Sequence, residues 1–235
     1  MSISSEIERL QQAKKDIGDA IVRKGGSVSG TLNTYAKSVM ALGDVSFRTA
    51  IDIVNKSDAK NVDLTMISPR NETNLSKLFH KNDKLVSIDV SNWDTSNVKN
   101  MAHMFMVCSS LTTLDLSGFA TSKVTTMLSM FNECTSLSTL DLSGFNTTNV
   151  TNMNTMFFDN KKLSEVKCDG MKLPNIELNK ISLNRSPLTV DSIVGLLNAL
   201  PQSDKGYSFQ IGSNNIAKLS DEQKAIATSK GWTLI

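Results

Sequence analysis

Four aspartates recur at one fixed spacing, Asp63, Asp89, Asp115 and Asp141, each 26 residues after the last. Carboxylates stacked about 5 Å apart repel by roughly 1 kcal/mol per pair in water and about 3 kcal/mol at an effective dielectric of 20. Such a column stands only if it is solvated, hydrogen-bonded to hydroxyls or neutralised by a cation. Ser91, Ser117 and Ser143 follow the last three aspartates at a constant offset, so hydroxyls are at hand. The chemistry open to these residues is a solvated structural ladder, or an outward-facing row that takes a calcium-like cation or a sugar.

Other reactive groups are sparse. His80 and His103 do not stand at metal-ligand spacing with a cysteine or carboxylate, which gives a zinc site or a Ser-His-Asp arrangement no basis. Gly25-Gly26 lacks the Lys-Ser/Thr that completes a phosphate-binding loop, and no GxGxxG occurs. Cys108, Cys134 and Cys168 are too few and too scattered for a disulfide scaffold. Cys108 and Cys134 lie one period apart, with Asn82 and Asn160 in the equivalent slots. A slot that takes Asn or Cys is similar to one in leucine-rich repeats, which implies buried side chains capping backbone groups of a turn, with a redox or cross-linking pair as the alternative. No catalytic, cofactor-binding or metal residue is assigned, and an enzyme is not expected.

The aspartates belong to a longer repeated unit. Leu85-Val-Ser-Ile-Asp-Val-Ser-Asn-Trp93 recurs as Leu111-Thr-Thr-Leu-Asp-Leu-Ser-Gly-Phe119 and Leu137-Ser-Thr-Leu-Asp-Leu-Ser-Gly-Phe145. Val98, Val124 and Val150 follow in register, then two methionine columns (Met101, Met127, Met153 and Met104, Met130, Met156), then Phe105, Phe131 and Phe157. In Leu111–Ser117, Leu114 and Leu116 alternate with polar residues, the pattern of a half-buried strand. Val124, Met127 and Phe131 are spaced as on a short helix, with Thr95, Ser96, Thr121, Ser122, Thr147 or Thr148 as its cap. The column Trp93, Phe119, Phe145 fills the turn of each unit or forms a carbohydrate platform. A constant period implies one supersecondary unit packed on copies of itself.

The period extends beyond its clear copies. Val62-Asp63-Leu64 with Leu75, Leu78 and Phe79 make a degenerate first unit over residues 59–79, and the pattern decays past Leu163, Val166 and Pro174. Leu188–Leu200 reads as an amphipathic helix stopped by Pro201, Tyr207–Ile211 as a strand, Ser220–Ala227 as a capped helix and Gly231–Ile235 as a strand. At the other end Ile3, Ile7, Leu10, Lys14, Ile17 and Ile21 form a seam of a/d type. It reads either as a helix packed on its own domain or as a short coiled coil joining protomers. Thr31–Leu42 reads as a second helix, ended by Gly43.

The stretch Thr112-Thr-Leu-Asp-Leu-Ser-Gly-Phe-x-Thr-Ser-x-Val-x-x-Met-x-x-Met-Phe131 resembles the BspA-type leucine-rich repeat, over roughly residues 59–170. Residues 188–235, with Lys218-Leu, Ala225-Ile-Ala and Lys230-Gly-Trp-Thr-Leu234, are similar to the segment that often closes such arrays. Residues 21–42, with Lys24-Gly, Val28, Gly30, Leu32 and Tyr35-Ala36, are similar to a helical segment of phage tail and minor structural proteins. Secreted members of the BspA type carry a signal peptide and an anchor. Met1–Leu10 has early charges and no apolar stretch, and no run is long enough to cross a membrane, so the resemblance implies the phage branch.

The expected fold class is therefore an α/β repeat solenoid, leucine-rich-repeat-like with a 26-residue period, carrying an N-terminal helical arm and an α/β C-terminal cap. Residues 1–43 form the docking or oligomerisation arm, 44–186 the repeats and 187–235 the cap. The expected function is that of a non-enzymatic virion structural protein of tail, baseplate or fibre type. The alternatives are a bacterial cell-surface adhesin or interaction module, and an architectural subunit that binds no receptor. Expected partners are other virion proteins through the arm, a host-surface glycan or protein, and further copies of the chain, a trimer favoured. A formal net charge of +2 with 40% hydrophobic residues gives no basis for nucleic-acid binding or membrane insertion. The expected location is the virion, assembled in the bacterial cytoplasm, and no cofactor is expected.

Overall fold

The computed structural model describes residues 46–65, 67–173 and 182–235. The seam residues Ile3, Ile7, Leu10, Ile17 and Ile21 and the expected helix at Thr31–Leu42 lie outside the described residues. The first described element is helix α1 (Phe47–Lys56), which the sequence reading did not anticipate. The Ser46 hydroxyl caps it by accepting from the Thr49 N–H, one of the amides left unpaired in a first helical turn. Ile51 and Val54 are buried against the first repeat, and Phe47 meets the edge of Trp93 at 5.1 Å between ring centroids.

Five short strands follow: β1 (Asn61–Asp63), β2 (Ser87–Asp89), β3 (Thr113–Leu114), β4 (Thr139–Asp141) and β5 (Glu165–Lys167). Their apolar residues Val62, Ile88, Leu140 and Val166 point inward. All pairings are parallel and in register: Val62 faces Ile88, Ile88 faces Leu114, and Leu140 faces Val166.

The second half of each unit pairs as well, through bridges joining Asn74, Asn100, Thr126 and Asn152 in sequence. Here the backbone alternates its partners. The amides of Leu75, Lys77, Phe79 and Lys81 donate to the carbonyls of Asn100, Ala102, Met104 and Met106 in the next unit. The amides between them turn back: Leu78 donates to Leu75, His80 to Lys77 and Asn82 to Phe79, while Ser76 donates to the Asn74 side chain. Every N–H from Leu75 to Asn82 therefore has an acceptor, as buried backbone requires. The alternation puts Lys77, Lys81, His103, Val107, Ser129, Glu133 and Asp159 at φ of 52–63°. Left-handed backbone costs a non-glycine residue about 1–3 kcal/mol and persists where the surroundings fix it. Each of these seven amides donates to the following unit, and that fixes it.

These findings correct the expected fold class. The structure does not show an α/β repeat solenoid. No helix occurs between Ser57 and Leu173 among the described residues, the strands are two or three residues long, and they fall into separate sheets of three, two and two strands. Val124, Met127 and Phe131 do have helical spacing, but the left-handed Ser129 between them breaks any helix and makes a chain of turns instead. Thr95, Thr121 and Thr147 cap no helix: their hydroxyls donate to the carbonyls of Ala120, Asn146 and Lys172 one unit on.

Two aromatic columns hold the units together. Phe79, Phe105, Phe131 and Phe157 are fully buried and stack at 5.4, 6.0 and 6.3 Å, and Trp93 stacks on Phe119 at 6.3 Å. Beyond the repeats come α2 (Val190–Ala199), β6 (Tyr207–Phe209), α3 (Ser213–Ile216), α4 (Asp221–Thr228) and β7 (Trp232–Leu234). β6 and β7 pair in parallel. Ser220 and Gln223 complete a capping box on α4, and the Lys230 ammonium donates to the last carbonyls of α2, those of Leu197, Asn198 and Leu200.

Candidate functional site

The aspartate column lies at the end of each strand. Asp63 and Asp89 are register partners, and Asp141 stands beside Lys167. Asp89, Asp115 and Asp141 are exposed, as are Ser91, Ser117 and Ser143, and Asp63 is half-buried. Each Oδ1 accepts the amide two residues on: from Thr65 at 2.9 Å, Ser91 at 3.0 Å, Ser117 at 2.9 Å and Ser143 at 2.9 Å. The hydroxyls of Thr65 and Ser143 add a second bond of 2.6 Å. The carboxylates thus close the turn that leaves each strand, a local side-chain to backbone bond in which aspartate excels.

Electrostatics follow from those bonds. Ser117 and Ser143 hold the carboxyls of Asp115 and Asp141 below the usual range, and the neighbouring Asp141 charge only partly offsets this at Asp115. A depressed native pKa means the bonds contribute their full stability above the ordinary value of 3.8 and lose it as pH falls through the lower native value. Both groups are exposed, so screening keeps the effect small. Asp141→Ala is expected to cost about 1 kcal/mol through the lost bonds to Ser143. Replacing both Asp115 and Asp141 by Asn should retain the turns and flatten the acid limb of stability against pH in urea melts. An acid limb as steep as in the parent protein would refute the assignment.

The cysteine column is structural in geometry. The Cys108 and Cys134 thiols donate to the carbonyls of Phe79 and Phe105, each at 3.1 Å, and the Ser186 hydroxyl makes the equivalent bond to Phe157 at 2.7 Å. Burial pushes the Cys108 thiol up to about 12 and that of Cys134 well above its ordinary value, which suppresses the reactive thiolate. Asn160 occupies the same column, is fully buried, and has no partner for either side-chain amide atom among the described residues. Asn160→Cys would place a donor against the Phe131 carbonyl and is expected to stabilise the protein by about 1–2 kcal/mol. A thermal midpoint that stays level or falls would overturn this.

The remaining sequence candidates separate cleanly. Trp93, Phe119 and Phe145 are buried and cannot present a platform to a sugar. His80 and His103 approach to 6.5 Å between rings, and desolvation lowers the pKa of both. Among the described residues no group of three or more His, Cys, Asp or Glu could hold a metal ion. The sequence singles out Thr95, Thr121 and Thr147 as helix caps, but their role is that of buried pins to the next unit, for which their strict 26-residue recurrence is the available signal. What remains outward is polar and periodic: Asn61, Ser87, Thr113, Thr139 and Glu165 run up the strand face, with the Ser87 hydroxyl bonded to Asn61 across one 26-residue step.

A family model described as "Mycoplasma protein of unknown function, DUF285" matches residues 47–171, more than half of the chain. The chain belongs to this family. The DUF285 match starts at the first residue of α1 and runs through β5 to Met171, so α1 is part of the family unit, and the family is related to the BspA-like repeat proteins. No curated protein and no solved structure gives a significant match. No helix among the described residues is long and apolar enough to cross a membrane.

Proposed function

We propose that this DUF285 chain is a non-enzymatic display module of a phage virion, of tail, baseplate or fibre type, whose outward polar columns meet a host surface. The observation that carries the reading is the contrast between the two sides of each unit. The inward side is filled by stacked aromatic and thiol columns, and the exposed carboxylates are engaged in turns. What is left is a rigid face of hydroxyl and amide groups at constant spacing, suited to many weak contacts in parallel. The similarity of residues 21–42 to phage tail segments supports the virion setting and gives docking and oligomerisation to the arm.

Mass spectrometry of purified particles tests the setting, and absence of the protein from them removes it. Competition tests the display role: purified protein should block adsorption of the particle to its host, and failure to block leaves only an architectural subunit. Light scattering should give an oligomer for the full chain and a monomer for a chain beginning at Asp44, and the same number of protomers in both would end the oligomerisation role of residues 1–24. A second reading, a bacterial surface adhesin, is favoured by the Mycoplasma label of the family.

A further inference from the structure

Between Phe158 of the fourth unit and α3 lies a cleft of about 740 Å³, within the range of roughly 300–1,000 Å³ usual for small-ligand sites. It arises where the register slips: Ser182 pairs with Gln210, two residues beyond the 26-residue step, and Gly212 at φ 79° turns the chain into α3. Its wall includes Phe158, Lys161, Arg185, Ser213, Asn214 and Lys218.

The charges around it do not balance. Lys161 and Arg185 share one carboxylate, Asp159, at 3.9 and 3.7 Å, beyond hydrogen-bond reach, and the Oδ1 of Asp159 is buried with no hydrogen-bond partner among the described residues. The Lys218 ammonium is held against two neutral oxygens, the Leu188 carbonyl at 2.6 Å and Asn215 Oδ1 at 3.1 Å, and no carboxylate lies within ion-pair distance among the described residues. Three cations therefore face the cleft with one anion among them, and Lys218 is fixed before any ligand arrives. The Lys161 and Arg185 side chains, 65% and 70% exposed, stand at its rim, held by these long contacts to Asp159. The Phe158 ring, with the Arg185 guanidinium 5.9 Å from its centroid, adds an apolar strip, and Ser213 and Asn214 add hydroxyl and amide groups.

We propose that this cleft binds a carboxylated sugar unit, a uronic acid residue of a surface polysaccharide. The cations take the carboxylate, Phe158 takes the C–H face of the ring, and Ser213 and Asn214 take ring hydroxyls. The inference deepens the host-surface reading above and rests on it only for its biological setting.

The test is calorimetric titration of the full chain with an oligoglucuronate, a neutral gluco-oligosaccharide of equal length, and inorganic phosphate. Expected is binding of the oligoglucuronate that weakens as salt rises, with little or no heat from the other two. Arg185→Gln and Lys218→Met should each weaken it by about tenfold, the loss of one charge-assisted contact. Arg185 lies at the exposed rim, so its variant reports on binding even if Lys218→Met disturbs the fold. No binding, binding unchanged in Arg185→Gln, or phosphate held as tightly as the sugar overturns the proposal. In the adsorption assay, an Arg185→Gln protein that still blocks as well as the parent sinks the cleft and leaves the display role standing. Oligoglucuronate binding without any block sinks the display role and leaves the cleft.

Discussion

Phe131→Ala is expected to lower unfolding free energy by about 3–5 kcal/mol, the usual cost of emptying a fully buried aromatic site. Phe131 has no exposed surface and is sandwiched between Phe105 at 6.0 Å and Phe157 at 6.3 Å. Its neighbours are tied to adjoining units: the Phe105 amide donates to the Met130 carbonyl, and the Phe157 carbonyl accepts from the Ser186 hydroxyl. They cannot close the gap without breaking the register that the Phe131 and Glu133 amides make with the carbonyls of Met156 and Phe158. Phe131 joins the units on either side of its own, so the loss falls at those two junctions and weakens the coupling between them. Urea melts should show a lower midpoint and a shallower transition. Phe131→Leu, which retains most of the volume, should recover the larger part. A Phe131→Ala protein within about 1 kcal/mol of the parent would mean that this column is not the core of the repeats.

Gly231→Ala is expected to be comparably severe, at about 3 kcal/mol or more, for a different reason. Gly231 has φ 79°, and a Cβ there would lie 1.9 Å from the Ser203 carbonyl oxygen. Ser203 cannot withdraw freely because its amide is bonded to the Lys230 carbonyl at 2.9 Å. Relief must come from β7, which carries the buried Trp232 and its indole bond to the Pro201 carbonyl at 2.8 Å. Gly206 is the control. Its φ is 61°, but nothing lies within 4 Å of the methyl that alanine would add. Gly206→Ala should therefore cost only about 1–2 kcal/mol of backbone strain. Thermal melts followed by tryptophan fluorescence separate the two, and equal losses would show that the clash at Ser203 is relieved without cost.

The period is legible in the sequence because its signal is redundant. Leu85, Leu111 and Leu137, the aspartates and the phenylalanines all recur together, and the structure pairs residues at that same step. The C-terminal helices and strands are legible for a local reason: Ser220 with Gln223, and Pro201 after Leu200, mark their own boundaries. The turn segments are not. Val124, Met127 and Phe131 satisfy helical spacing, and the left-handed positions that exclude a helix hold Lys, His, Val, Ser, Glu and Asp rather than glycine. Only the partner unit makes that backbone tolerable, and the residues of one unit do not contain its partner. Helix α1 carries a cap and an apolar face in Ser46, Ala50, Ile51 and Val54, but it stands outside the period, so the repeat signal does not reach it. Of the candidate site, the aspartate and serine column is visible as residue types, while its use in closing turns depends on the strand ending where it does. Of the cleft cations, Arg185 stands one 26-residue step after Asp159, so the period places those two side by side, while Lys161 and Lys218 follow no period and nothing in the string brings them to the same cleft.

The amide row running from Leu75 to Lys81 has a direction, since each bond points from an earlier unit to the later one. The first unit therefore offers carbonyls with no earlier unit to fill them, and α1 supplies donors: Arg48 to Asn74 and Asn55 to Leu78. Three successive junctions repeat that row: the amides of Leu75, Met101 and Met127, and those two, four and six residues after each, meet the equivalent carbonyls one unit on. Adding or deleting one whole unit there would thus leave the amide row of the new junctions the same as that of the old ones. Unit number could therefore vary while the donors of α1 and the slipped register at Ser182 stay untouched.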